Sequence, residues 1–238
     1  MLDIYPHLKD ERGQNESGRR LFLAGAVSTL LSVYSAGEVE AEDGLDPGGL
    51  TFRDFGTPDN GASFNRDDPM LPGGPNPPPA RVLSIDNAGG FARVRFDMIK
   101  VDLALPLGWR TMEDPERGIG FSPDRRYRVI VWRLDFAFEG VKDAEQYAAT
   151  KMGAIRARRP GVRTQGRKLT DGTFLIVYED VPPTSQGDSG NRTVFDVVYT
   201  KPGEPKQGAL VTLGVPVADT ERGLKLLAIL KQNIDFSW

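Results

Sequence analysis

The chain has 238 residues, a net charge of -3, no cysteine and a single histidine, His7. The absence of cysteine excludes disulfides, thiolate metal sites and iron–sulfur centres. The small net charge does not favour nucleic acid as a partner. Because nothing after His7 offers the usual general base of hydrolases, we expect no enzymatic activity and no cofactor.

Residues 1–41 have the features of an export signal. The core at 21–36 is apolar and too short for the ~20 residues that cross a bilayer, but it matches the apolar segment of a signal peptide. Two small-residue patterns, which end at Ala36 and Ala41, offer alternative cleavage sites. The competing interpretation is a buried N-terminal helix, which the aperiodic polar segment before it does not favour.

The same segment resembles a twin-arginine translocation signal, which has two adjacent arginines, one free position and then Phe-Leu. The matching residues are Arg19, Arg20, Phe22 and Leu23. The resemblance implies export of the folded protein. It therefore implies a periplasmic or exported location, with a membrane tether if the signal is not cleaved. We expect no transmembrane span beyond the signal.

Residues 42–90 are rich in proline, glycine and acidic side chains and show neither a helical nor a strand period. Such a composition buries too little apolar surface to offset the entropy of ordering. The sequence therefore predicts a disordered linker, followed by a domain that begins near Phe91. Phe52, Phe55 and Phe64 stand out in this segment. They either dock onto the domain or a partner, or have no structural role.

Residues 91–238 are predicted to form one domain. Apolar and polar residues alternate over 91–105, which is typical of two half-buried strands. The segment 127–136 is apolar on both faces, which predicts a central strand. Short turns join the later strands and favour antiparallel pairing. These later strands are expected at 162–167, 173–178, 193–200 and 209–215.

Two helices are predicted within this domain. Asp143 and Gln146 form a capping-box pattern at the start of a helix that ends before Pro160. Asp219 is expected to cap a second helix. The buried stripe of the second helix consists of Leu226, Leu227, Leu230 and Ile234. The fold class is therefore α+β, with an antiparallel sheet of about six or seven strands flanked by two main helices.

A Leu-Pro-x-Gly-Trp turn follows the second strand, and a tyrosine lies in the first turns of the first helix. The residues concerned are Leu105, Pro106, Gly108, Trp109 and Tyr147. This pattern, with its order of strands, helix, strands and helix, resembles the PsbP/Mog-like group. That group includes extrinsic photosystem subunits, Ran-binding transport factors and bacterial envelope proteins. The resemblance implies a sandwich-like binding or accessory module without catalytic residues.

A basic stretch is the main candidate for contact with another molecule. No acidic residue occurs between Glu145 and Asp171. An anionic membrane surface, an acidic envelope protein and the chain's own acidic linker are the candidate partners, and a solvated helix end is the alternative. The basic residues are Arg156, Arg158, Arg159, Arg163, Arg167 and Lys168.

Two other motifs carry less information. The Gly-Asp-Ser-Gly sequence around Ser189 resembles the nucleophile motif of trypsin-like proteases, but the chain has no histidine beside it to act as a base. The carboxylate pairs lack the spacing of a calcium loop and are expected on the surface. These pairs are Glu113-Asp114 and Glu179-Asp180.

The sequence thus favours an exported, non-enzymatic binding or accessory protein of the cell envelope. One alternative is a module that binds a small apolar ligand in a pocket lined by Trp109, Trp132 and Tyr178. The other is a hydrolase that uses carboxylates without histidine.

Overall fold

The computed structural model describes residues 45–57, 78–183 and 190–237. The export signal, Phe64 and Ser189 lie outside these ranges. Within them, neither α-helix has the length and apolar character needed to cross a bilayer. The strands are β1 (Arg81–Asp86), β2 (Phe91–Phe96), β3 (Val101–Pro106), β4 (Arg110–Asp114), β5 (Arg117–Phe121), β6 (Arg128–Asp135), β7 (Arg163–Lys168), β8 (Phe174–Val181), β9 (Arg192–Lys201), β10 (Glu204–Pro216) and β11 (Ile234–Phe236). The α-helices are α1 (Ala144–Arg158) and α2 (Thr220–Gln232).

The described strands form two antiparallel sheets. One sheet has four strands in the order β1-β2-β3-β11, and the other has seven in the order β4-β5-β6-β10-β9-β8-β7. Helix α2 contacts β9 and β10 of the larger sheet and β3 of the smaller one, so the main core lies between the two sheets. Helix α1 packs on the opposite face of the larger sheet, against β7, β8 and β9.

The predicted α+β class, the antiparallel pairing and the two main helices are confirmed. The prediction of a single sheet is wrong, because the strands divide between two sheets. Strand β6 has neighbours on both sides, as its two apolar faces predict. The structure also contains β1, β4, β5 and β11, which the sequence pattern did not indicate.

Strand β5 escaped prediction because two of its five residues are glycines. A Cβ atom at Gly118 would lie 2.3 Å from the ring of Phe96, and one at Gly120 would lie 2.8 Å from a methyl carbon of Leu105. The two sheets therefore approach each other too closely at β5 for any larger residue. The two glycines that interrupt the strand pattern in the sequence are therefore required for the packing of the two sheets.

The linker prediction is corrected for residues 45–57 and 78–90. Residues 81–86 are strand β1, which pairs with β2 and so extends the domain before Phe91. Phe52 and Phe55 are buried in the main core. The ring of Phe52 lies 5.1 Å from that of Phe91, and the guanidinium of Arg222 in α2 lies 4.5 Å from the ring of Phe55. Two of the three linker aromatics are thus core residues.

Trp109 explains why the Leu-Pro-x-Gly-Trp turn matters to the fold. Its indole is fully buried, and its Nε1–H donates to the carbonyl oxygen of Phe55 at 2.9 Å. Gly108 has φ +83°, a conformation that favours glycine. A Cβ there would also collide with the hydroxyl of Thr57. The turn therefore fastens residues 45–57 to the domain.

The two helix starts differ from each other. Asp143 caps α1 as predicted, since its Oδ1 accepts the N–H of Gln146 at 2.8 Å. Asp219 precedes α2 but makes no side-chain cap. Its carboxylate instead accepts a hydrogen bond from Arg126 at 2.6 Å. Ile234, expected on the buried stripe of the second helix, belongs to β11.

Candidate functional site

A buried ion pair joins α1 to the larger sheet. The Nζ of Lys151 lies 2.7 Å from Oδ2 of Asp196 on β9, and the two side chains are only 4% and 1% exposed. The hydroxyl of Thr212 on β10 donates to Oδ1 of the same carboxylate at 2.5 Å. Burial of a charge is tolerated when it is paired and hydrogen-bonded in this way. The pair fixes the position of α1 on the sheet.

A narrow crevice opens beside this pair, between the end of α1 and the sheet. Its volume is about 300 Å³, including space open to solvent. Aliphatic side chains form most of its walls, and the polar groups that line it belong to Arg159, Tyr178 and Asp196. The aliphatic residues are Ile155, Val162, Val181 and Val194. Most of this volume is open to solvent, and the enclosed part has room for only about one water molecule, which is far below the size of a small-molecule site.

The three aromatic residues proposed for an apolar-ligand pocket do not share one. Trp109 is fully buried in the main core, between the two sheets. Trp132 lies on the opposite face of the larger sheet, where the guanidinium of Arg117 stacks 5.0 Å from its ring. Only Tyr178, of the three, lines the crevice. The structure therefore separates the residues on which the ligand-binding alternative depends.

The six predicted basic residues lie on two faces of the molecule. Lys168 pairs with Phe174, which packs in the α1 layer, whereas Arg167 pairs with Leu175 of the main core. Arg163 shares the face of Arg167, because residues two apart on a strand point the same way. Arg156, Arg158 and Arg159 belong to the end of α1. The basic stretch is thus split by the edge strand β7.

Arg163 and Arg156 are among the arginines of this stretch that have close partners within the chain. Arg163 lies 2.9 Å from Glu179 and 2.9 Å from Asp180, so these carboxylates do not simply face solvent. The Nη2 of Arg156 donates to the carbonyl oxygen of Thr164 at 3.0 Å. The acceptor of Arg156 is a neutral carbonyl group, which does not neutralise the guanidinium charge. The two carboxylates beside Arg163, in contrast, neutralise the charge of that residue.

The other carboxylate pair also differs from expectation. Glu113 is buried rather than exposed, and it accepts the N–H of Met98 at 2.9 Å in the turn between β2 and β3. Burial raises the pKa of this carboxyl, and the backbone hydrogen bonds offset part of that increase. Asp114 instead pairs with Arg117 at 2.9 Å. Glu113 is therefore a structural residue that holds the β2–β3 turn against β4.

Asp196 and Thr212 were missed by the sequence analysis. Asp196 interrupts an apolar run between Phe195 and Val197, and an acidic side chain in the middle of a central strand is the signal that could have revealed it. The sequence pattern did not single out its partner Lys151 as a buried residue either. Across the described ranges, no group of three carboxylate or histidine side chains is arranged to hold a metal ion.

No family model matches the sequence, and no curated protein does. Similar solved structures include the Ran-binding protein Mog1p of Saccharomyces cerevisiae, with a TM-score of 0.44 and 9% identity over 61% of this chain and 94% of that chain. Cyanobacterial PsbP (CyanoP) from Synechocystis sp. PCC 6803 has a TM-score of 0.42 and 13% identity, over 64% of this chain and 97% of that chain. Similarity at this level establishes neither a family nor a function for this chain.

Proposed function

We propose that this protein is an exported, non-enzymatic binding or accessory protein of the cell envelope. The Arg19-Arg20 signal pattern supports export. The absence of cysteine and of any histidine after His7 supports a role without catalysis. The carboxylate of Asp196, which lines the crevice, is already engaged by Lys151 and Thr212, which gives a histidine-free hydrolase little support.

The contact surface that we propose is the α1 side of the basic stretch, and its partner is an anionic membrane surface. The observation that carries this proposal is the division of the six basic residues. Arg156 and Arg158 lie in the last turn of α1 and Arg159 is its C-cap residue, whereas Arg163 is balanced by Glu179 and Asp180. Each arginine near an anionic bilayer contributes about 1 kcal/mol of binding free energy.

Vesicle binding tests this surface. Arg156→Gln/Arg159→Gln should weaken binding to phosphatidylglycerol vesicles by about 2 kcal/mol, while Arg163→Gln/Arg167→Gln, a control that removes the same number of charges, should change it much less. Binding of the wild-type chain should decline as salt shortens the Debye length from about 10 Å at 0.1 M to about 3 Å at 1 M. No binding at low salt, or equal losses in the two variants, would overturn the membrane contact. Capture of an acidic envelope protein by the same arginines would replace it.

The export step has its own test. Arg19→Lys/Arg20→Lys should leave the protein in the cytoplasm, because twin-arginine recognition requires the guanidinium groups and not only their charge. Arg12→Lys is the control, since Arg12 lies before the motif. Cell fractionation measures the result. Unchanged export of the double variant would contradict the twin-arginine assignment.

A further inference from the structure

The described part of the two sheets has four lateral edges, and three of them are protected. Residues 78–80 run along β4, where the carbonyl oxygen of Pro78 accepts the N–H of Glu113 at 2.9 Å. Strand β7 carries Arg163, Arg167 and Lys168, and charged side chains discourage pairing with another strand. Strand β11 has only three residues. Natural sheets use these devices to prevent unwanted edge-to-edge contacts.

Strand β1 is the edge that exposes large apolar side chains. Leu83 and Ile85 on this strand are 40% and 39% exposed, and Met98 in the neighbouring β2–β3 turn is 46% exposed. These are three of the five large apolar side chains that the described residues expose. An apolar edge strand of this kind is a template for pairing with a further strand.

A bulge in β1 leaves its apolar side chain available. The pairing of β1 with β2 shifts between Val82 and Ser84, so Leu83 is the extra residue. A bulge often protects an edge, and protection would be completed by a charged residue at that position. The bulged residue here is leucine, which favours a contact over solvation.

We propose that β1 pairs antiparallel with β1 of a second copy of this chain, so that two four-stranded sheets become continuous across a twofold axis. The opposite charges at the two ends of β1 are the reason to propose a second copy of the chain as the partner. In this register Arg81 of one copy lies opposite Asp86 of the other, and the reverse pair forms on the other side of the axis. Val82 then lies opposite Ile85, and Leu83 opposite Ser84 of the second copy. A twofold interface requires such self-complementarity.

The strand is short, so the dimer is expected to be weak and concentration-dependent. Its six residues bury less surface than the roughly 800 Å² per partner of a standard interface, even with Met98 at its margin. The side chain of Arg81 is 58% exposed and already pairs with Asp97 at 2.7 Å. The guanidinium of Arg81 has five N–H donors, so it can contact Asp86 of the second copy and still remain paired with Asp97.

Analytical ultracentrifugation of the full chain tests the association. Leu83→Lys/Ile85→Lys should weaken it at least about tenfold, because four lysines then meet near the twofold axis. Phe138→Lys/Val217→Lys is the matched control, since both of its positions are exposed apolar residues away from β1. All variants keep the apolar segment 21–36, so any association through that segment is common to them. A wild-type chain that is monomeric at every concentration, or equal association of the two variants, overturns the proposal.

Cross-linking tests the register. Because the chain has no cysteine, each introduced thiol can form only an intermolecular disulfide. A mixture of Leu83→Cys and Ser84→Cys chains should cross-link to the mixed dimer several times faster than either is cross-linked to Val217→Cys, since Cα atoms must approach to about 4.4–6.8 Å. Equal rates would exclude this register and overturn the proposal, which is stated for this register. A strand from another protein would then be the alternative occupant of the edge.

Discussion

The ammonium group of Lys151 lies 2.7 Å from a carboxylate oxygen of Asp196, and neither side chain is more than 4% exposed. This contact places one charge of α1 inside the layer formed by the helix and the larger sheet. Removing two charges from water is costly, and the attraction between them approximately offsets that cost. The pair therefore contributes more to the position of the helix than to the free energy of unfolding.

Replacing only one partner should be strongly destabilising. Lys151→Met leaves the carboxylate of Asp196 buried with Thr212 as its remaining close donor, and we expect a loss of about 3–5 kcal/mol in the free energy of unfolding. Urea denaturation of the variant and of Lys168→Met, an exposed control, measures the difference. The double variant Lys151→Met/Asp196→Leu should recover most of the loss. A double variant as unstable as the single one would show that the pair is stabilising in itself.

Glu113 predicts a specific dependence of stability on pH. Its pKa in the folded state is raised above the ordinary 4.5, mainly by burial. The folded state therefore holds this proton more tightly, so the group's contribution is fully present below the unfolded pKa and is lost as the pH rises through the folded pKa. Glu113→Gln cannot titrate and keeps an oxygen that can accept the N–H of Met98. The unfolding free energy of wild type minus that of the variant should decrease as the pH rises from the ordinary pKa of 4.5 through the raised pKa of the folded state. A difference that increases over this interval would contradict the raised pKa.

Residues 45–57 should contribute to the stability of the whole domain. Phe52 is buried in the main core, and Phe52→Ala removes its ring from between the two sheets. We expect a loss of about 3–5 kcal/mol in thermal or urea unfolding. Phe138→Ala is the control, because that side chain is 54% exposed. If Phe52→Ala unfolds like wild type, residues 45–57 are not part of the cooperative unit.

Substitution of two glycines by alanine should change the stability of the domain in opposite directions. Gly118→Ala would force a methyl group against the ring of Phe96 and should destabilise the domain by about 3 kcal/mol. Gly153 lies within α1 with nothing near its missing Cβ, so Gly153→Ala should stabilise the domain by about 0.5–1 kcal/mol. Melting temperatures of the two variants measure both effects. Equal shifts in one direction would show that the close approach of the sheets at β5 is not present.

The sequence predicted the elements whose apolar pattern is strong. Strands β6 and β9 have long apolar runs, and Asp143 caps α1 through the hydrogen bond that its position predicts. Strand β1 was missed because it follows a run of prolines and has a bulge at Leu83, which breaks the alternation of its side chains. Strand β5 was missed because its glycines are required by close contacts with side chains of β2 and β3. These contacts come from distant parts of the chain and leave no local pattern.

The candidate site was predicted less completely than the fold. The basic residues of α1 were identified, but their division by β7 depends on the pairing of that strand with β8. The pairing of Arg163 with Glu179 follows from the same register, which the sequence alone did not fix. The burial of Lys151 could not be predicted, because its partner Asp196 lies on a strand that comes after the helix.

Strand β3 depends on β11 for its second neighbour, and this order has a consequence during synthesis. Ribosomes produce β2 and β3 well before β11, so the growing chain holds β3 with one unpaired edge while both helices and the whole larger sheet are made. The smaller sheet is expected to reach its final form only after translation of residues 234–236. Any partner that recognises only the completed smaller sheet would therefore have to bind after that stage.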